Sequence, residues 1–312
     1  MFFKQKKYAE KIDKHRKKSK DEKEPSLFSS VTLGLLATFT ATQWMLHLHK
    51  RKIADSSKRQ AKQGDFEQVP IIYIHGFRGG DYTTNVMIRQ TTKLKKNNNY
   101  LKVTVDVFGN FKLEGTWTGD EHPLVQLVFE QKIIGIYAIC YLLRMSLSFL
   151  SKRYNFHHYN AVSHSLGAPC TVKTEMHTSL WKKFPRLNKC ALIAGPFDGV
   201  MYLGDIPNVN RLSERGRPVL MSYSYMGMLL SRRRFNPNIS VLNIYGNTLD
   251  ETNTDRFISV VSAKSIRYIL APVARFYQEV EFRGKDAEHS MLHDNLMVID
   301  TINKFLGLEK NS

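Results

Sequence analysis

Six residues constrain this chain more than any other feature: Val162-Ser163-His164-Ser165-Leu166-Gly167, inside HHYNAVSHSLGA, which reads as strand, sharp turn and helix start. A serine held on a tight strand-to-helix turn needs small neighbours two places before and after it, because strand and helix approach closely there. Ser163 and Gly167 are both small, although glycine is usual where Ser163 stands. Ser-rich turns also occur in ordinary polar loops. The hexapeptide therefore takes its meaning from its surroundings, with Ser165 as the candidate nucleophile.

Those surroundings are strands alternating with helices. VPIIYIHGF is a short β-branched run bounded by Pro70 and Gly76, as a buried parallel strand would be. LKVTVDVFGNF (101–111), KCALIAGPF (189–197), SVLNIYG (240–246) and FYQEVEFRG (276–284) supply further strands. Residues 124–151 carry apolar residues at helical spacing, and MLHDNLMVIDTINKFLGL closes the chain as an amphipathic helix. This alternation predicts an α/β fold, a mostly parallel sheet with helices on both faces.

Two further segments carry chemistry. Tyr73-Ile74-His75-Gly76-Phe77-Arg78-Gly79-Gly80 follows a strand, and backbone N–H groups in such a loop can hold the charge that grows on a carbonyl oxygen during acyl transfer. Phe77 and Leu166 are the expected oxyanion donors, one after the His-Gly pair and one after the nucleophile. The spacing fits neither a dinucleotide fingerprint nor a Walker loop, and His75 is read as structural. Between the last strand and the last helix lies Gly284-Lys285-Asp286-Ala287-Glu288-His289-Ser290-Met291-Leu292-His293. It offers His289 as general base, with His293 four residues on and read as part of the closing helix. The acid belongs after the preceding strand, where Asp250 and Asp255 compete.

Taken together, IYIHGFRGG, AVSHSLGA, IAGPFDG, NIYGN followed by TDRFISVVSAKS, and AEHSMLHDN resemble the successive motifs of a family of alpha/beta hydrolases, cell-surface hydrolases of Gram-positive bacteria whose activity is largely undefined. The resemblance spans residues 66–308. It implies the alpha/beta-hydrolase fold, a lipase-like core, and a triad of Ser165, His289 and Asp255. The family pattern reads Ser-Asp-Gly where this chain has Thr254-Asp255-Arg256.

Composition divides the chain. It has 312 residues, with 46 Lys and Arg against 28 Asp and Glu. Residues 1–62 hold 16 of those bases and 6 acids, hence +10 of the net +18. Positive charge gathered on a tail that flanks an apolar run suits an anionic membrane surface, whereas nucleic acid would want a basic patch on the folded domain. The expected organisation is a charged arm (1–26), a membrane anchor or signal segment (27–48), a linker (49–65) and an alpha/beta-hydrolase domain (66–312). From Pro25 to Leu46 no side chain is charged, and Trp44 with the following basic residues fits an interfacial end. A cleaved signal peptide is the rival, without a small-x-small site close behind. The expected location is the cell membrane, single-pass, with the catalytic domain outside.

Cys140, Cys170 and Cys190 are odd in number and set in apolar sequence, so neither a disulfide framework nor a metal knuckle is expected. No cofactor, metal or nucleic-acid partner is expected. The substrate class is a small-molecule or lipid-like carboxylic ester, cleaved through an acyl-enzyme. An acyltransferase with the same triad, or a silent membrane-held binding domain on the same fold, stands beside that reading. Phe197 to Asn238 is longer than an ordinary connection and reads as a lid or a plain surface helix, with Arg232, Arg233 and Arg234 as a solvated face or a head-group site.

Overall fold

The apolar runs pair into one large sheet. The computed structural model describes residues 51–132 and 134–308, together with Thr32, Thr42, Gln43 and Met45. Its strands are β1 (Ile53–Asp55), β2 (Lys58–Arg59), β3 (Ile71–Ile74), β4 (Leu101–Val105), β5 (Phe111–Trp117), β6 (Leu124–Phe129), β7 (His158–His164), β8 (Arg186–Ile193), β9 (Val200–Met201), β10 (Gly204–Asp205), β11 (Ser240–Asn247) and β12 (Phe276–Arg283). The main sheet runs β1-β5-β4-β6-β3-β7-β8-β11-β12, with β2 also on β5, while β9 and β10 pair separately. Every neighbouring pair in the main sheet is parallel except β4 with β5.

Helices cover both faces, as a parallel sheet requires. They are α1 (Asp81–Leu94), α2 (Ile136–Tyr154), α3 (Gly167–Thr178), α4 (Tyr223–Ser231), α5 (Val260–Leu270), α6 (His289–Leu292) and α7 (Leu296–Leu306). α1 and α7 enclose one core layer with Ile71, Tyr73, Val162 and Ile244. α2, α3 and α5 enclose the other, with Ile72, Ile74, Ala161 and Leu192. Residues adjacent along one strand thus feed opposite layers, so β3 and β7 are apolar on both sides and sit in the middle of the sheet. The His-Gly loop and the Ser165 turn leave the ends of these two central strands.

The structure corrects several expectations. Residues 124–151 are not one helix: 124–129 form β6, buried between β4 and β3, and the helix occupies 136–154. A continuous apolar run such as LVQLVF carries no period that separates a buried strand from a buried helix. Residues 101–111 are not one strand either, because the chain turns at 106–110 and returns as β5. Within the expected linker 49–65, β1 and β2 extend the sheet edge, and Arg153 pairs with Asp55. The closing helix begins at Leu296, so His293 lies outside it, as the C-cap of α6. The expected arm (1–26) and all but a few residues of the expected anchor (27–48) lie outside the described residues. Among the described residues no helix is long and apolar enough to cross a membrane.

Candidate active site

Ser165 ends the path of β7 and precedes α3, with φ of 55°. A non-glycine residue in this left-handed region is strained by about 1–3 kcal/mol and persists only where the surroundings over-determine it. Here the Ser165 N–H donates to Ile193 O at 2.8 Å, the Ser165 carbonyl accepts from the Ala168 N–H at 2.9 Å, and β3 closes in from the other side. A Cβ on Gly76 would lie 2.7 Å from Leu166 N, and one on Gly167 would lie 2.8 Å from His75 O. These two glycines are what lets the His-Gly loop touch the serine turn. Ser163, at the other small position, is buried and shares a 2.7 Å hydrogen bond with the Thr171 hydroxyl, which ties the strand to the second turn of α3.

His289 stands over the serine. Its Nε2 is 3.0 Å from Ser165 Oγ, and its Nδ1 is 2.8 Å from Asp255 Oδ2. The second oxygen of Asp255 accepts from the Phe257 N–H at 2.9 Å and the Ile258 N–H at 2.6 Å. Asp255 is buried, so these bonds fix its carboxylate and leave Oδ2 for the imidazole. With Nδ1–H donating to the carboxylate, Nε2 carries the lone pair that faces the serine hydroxyl. The structure brings Ser165, His289 and Asp255 together and leaves the two competitors elsewhere. Asp250 is exposed and bonds Thr248 and Thr252 within its own turn. His293 Nδ1 contacts Asp294 at 2.8 Å.

The main chain of His289 is held as firmly as its ring. Its N–H donates to Asp255 O at 2.9 Å, and its carbonyl lies 3.0 Å from His164 Nε2. Burial, reinforced by the neighbouring His289 and His293, pushes the His164 pKa well below the ordinary histidine value. The ring is therefore neutral, and Nε2–H donates to the His289 carbonyl. Sequence reading passed over His164 because it occupies a position the elbow motif leaves free.

Of the two expected oxyanion amides, Leu166 N lies beside Gly76, the residue that precedes Phe77. Among the described residues neither the Phe77 N–H nor the Leu166 N–H donates to a protein group, while the Arg78 N–H is taken by Lys132 O and the Gly79 N–H by Gly76 O. Leu166 also opens α3, whose N-terminal end favours negative charge. His75 serves the backbone: its Nε2 accepts from the Phe129 N–H at 2.9 Å and its Nδ1 meets Gly76 O at the same distance. Burial lowers its pKa to about 4, so it is neutral across the physiological range.

A second polar cluster roots the long connection after β8 and was not legible in the sequence. The Asp198 carboxylate accepts from the Ser222 N–H at 2.7 Å and from Asn210 at 3.0 Å. The Ser259 hydroxyl donates to Asp205, and the Met201 N–H bonds Phe257 O at 2.9 Å. The connection is thereby fastened to the same loop that carries Asp255. Cys140, Cys170 and Cys190 are free and buried.

Solved structures share this architecture. A gene product of Listeria innocua is 25% identical over 79% of this chain and 96% of its own, with a TM-score of 0.68. A Lactobacillus plantarum protein described as a candidate cell surface hydrolase is 20% identical over 79% of this chain and 94% of its own, with a TM-score of 0.63. Among curated proteins none is similar enough to match. The family model for alpha/beta hydrolases of unknown function (DUF915) matches residues 58–309, and the chain belongs to that family.

Proposed function

We propose that this chain is a serine hydrolase that cleaves a carboxylic ester through an acyl-enzyme at Ser165. The single observation that carries the reading is His289, bonded at once to Ser165 Oγ and Asp255 Oδ2. In the first step His289 Nε2 takes the serine proton as Oγ attacks the ester carbonyl. The oxygen that becomes negative is received by the Phe77 and Leu166 amides, each worth about 100- to 1,000-fold in rate in comparable sites. The imidazolium, balanced by Asp255, then returns its proton to the leaving alcohol as the carbon–oxygen bond breaks. Water enters and loses a proton to the same nitrogen as it attacks the acyl carbon, and that proton passes to Ser165 Oγ as the acyl–oxygen bond breaks and the acid leaves.

The test is covalent labelling by a fluorophosphonate together with turnover of a p-nitrophenyl ester. Ser165→Ala should abolish both, whereas Ser163→Ala should keep most of each, because Ser163 is engaged with Thr171 beneath the turn. A dead Ser163→Ala beside an active Ser165→Ala would overturn the assignment.

For the chain as a whole, the proposed organisation is a hydrolase domain whose sheet begins with β1 at Ile53, behind an anchor at 27–48 that holds it at the outer face of the cell membrane. Support comes from the uncharged run between Pro25 and Leu46 and the basic residues around it. Fractionation that finds the full-length protein wholly in the soluble fraction would sink the anchor.

A further inference from the structure

Nine of the twenty-one exposed large hydrophobic side chains among the described residues fall between residues 197 and 238. That stretch is 42 of the 261 described residues, so the concentration is about 2.7 times the even share. Single exposed apolar residues need no explanation, but a concentration of them does. The sharpest part is α4, YSYMGMLLS, a helix without a charge. Its inner side buries Tyr225 and Met228, with the Tyr225 hydroxyl 3.2 Å from Ser265 O. Its outer side carries Tyr223, Met226 and Leu230, at i, i+3 and i+7, which are 80%, 39% and 86% exposed. A surface helix ordinarily turns charge toward water, and one that is apolar all round is ordinarily covered.

Charge says what covers it. Arg232, Arg233 and Arg234 follow α4 directly, and among the described residues none of them is in an ion pair. Across 197–238 the exposed charges are Arg211, Arg215, Arg217, Arg233 and Arg234 against Glu214, since Asp198 and Asp205 are buried. An apolar stripe flanked by unpaired guanidinium groups matches the boundary between acyl chains and anionic headgroups, where the stripe is buried and the arginines meet phosphate. A protein partner of ordinary composition would not demand so one-sided a charge. The surface is also attached to the chemistry. Ser222, the N-cap of α4, is held by Asp198, from which the β9–β10 segment departs to bond Phe257 beside His289.

We propose that the outer face of α4, with the arginines that follow it, docks the domain on an anionic lipid surface. This goes beyond the catalytic reading and does not depend on it. Because the native cysteines are all buried, a cysteine introduced by Leu230→Cys in the full-length protein can be labelled selectively with an environment-sensitive fluorophore. Asn98→Cys, in the loop between α1 and β4, serves as the control position. The label at 230 should brighten several-fold on vesicles of mixed phosphatidylcholine and phosphatidylglycerol, stay dim on phosphatidylcholine alone, and respond far more than the label at 98. Replacing Arg232, Arg233 and Arg234 together by Gln should weaken that response about 100-fold in lipid concentration, at roughly a factor of 5 for each lost charge. Equal brightening at both positions, equal brightening on neutral vesicles, or no brightening would overturn the proposal. Brightening with rising protein concentration in the absence of lipid would overturn it too, assigning the face to a second copy of the chain. Turnover of a soluble short-chain ester by Leu230→Cys should match that of the unaltered protein. Absence of esterase activity from the unaltered protein and from Leu230→Cys alike, with insertion intact, would strike the catalytic reading and leave this one standing.

Discussion

The loop around His289 and the connection between β8 and β11 leave the same end of the sheet, yet they settle their surface groups in opposite ways. Around His289 every polar atom finds a partner: the two ring nitrogens, the N–H and the carbonyl bond Ser165, Asp255 and His164. In the connection the polar roots are tied by Asp198 and Asp205, while nine large apolar side chains are exposed and the exposed charges are arginines but for Glu214. One region satisfies its groups within the chain, and the other leaves them to the proposed lipid surface. Reacting groups need fixed geometry, since a displacement of about 1 Å can cost about 100-fold in rate. A docking face needs the reverse, because its energy is released on contact.

Substitutions test how far this division holds. The largest effects belong to the triad: Ser165→Ala or His289→Ala should cost about 10⁶-fold in kcat, and Asp255→Asn about 10⁴-fold by favouring the wrong tautomer. Asp250→Asn should be nearly silent in the same p-nitrophenyl ester assay, and a dead Asp250→Asn beside an active Asp255→Asn would redraw the completed region. Next comes His164. His164→Ala should lower kcat about 100-fold with KM little changed, and His164→Gln, which keeps a donor, should recover part of the loss. Because the effect acts through the placement of His289, the pH–rate profile of the alanine variant should shift as well. A proportional rise in KM with an unchanged profile would make His164 merely structural.

Smaller still is the effect of a buried acid that the proposed chemistry does not use. Glu175, on α3 well below the elbow, is pushed up to about 7 by burial, against an ordinary value of 4.5. Its folded state therefore binds the proton more tightly than its unfolded state. The resulting stabilisation is full below about pH 4.5, falls as pH rises, and is gone above about 7. The difference amounts to roughly 3 kcal/mol at most. Urea denaturation of the unaltered protein should show this decline, and Glu175→Gln should flatten it. An equal slope in both would rule out Glu175 as its source. Smallest is the expectation for the outer connection, where Tyr202→Ser with Leu203→Ser should change the urea midpoint by no more than about 0.5 kcal/mol of stability. A larger loss would show that these exposed residues pack on the domain.

The same division explains what the sequence made legible. Small residues at Ser163 and Gly167, and the order of serine, acid and histidine, follow from steric and topological demands that leave a trace in the letters. The choice between Asp255 and Asp250 left none, since both are acids in one polar loop. In the structure the backbone amides of Phe257 and Ile258 hold the Asp255 carboxylate against His289, while Asp250 bonds within its own turn. His164 had no signal because a side chain that bonds a carbonyl 125 residues away obeys no local spacing. β6 was misread as helix for want of a period, and the edge strands β1 and β2 were hidden in polar letters, because their pairing rests on backbone rather than on apolar side chains.

Arg256 has φ of 77°, a conformation in which an arginine is strained and a glycine is not. The family pattern has glycine there, which makes Arg256→Gly a substitution expected to stabilise rather than harm. The edge strand β1 sets a harder limit. It begins at Ile53, so only residues 49–52 separate it from the proposed anchor at 27–48. Four residues span at most about 14 Å. On the proposed organisation such a leash keeps the start of the sheet within about 14 Å of the bilayer, so the bonds within reach are those at the face of the leaflet that holds the anchor.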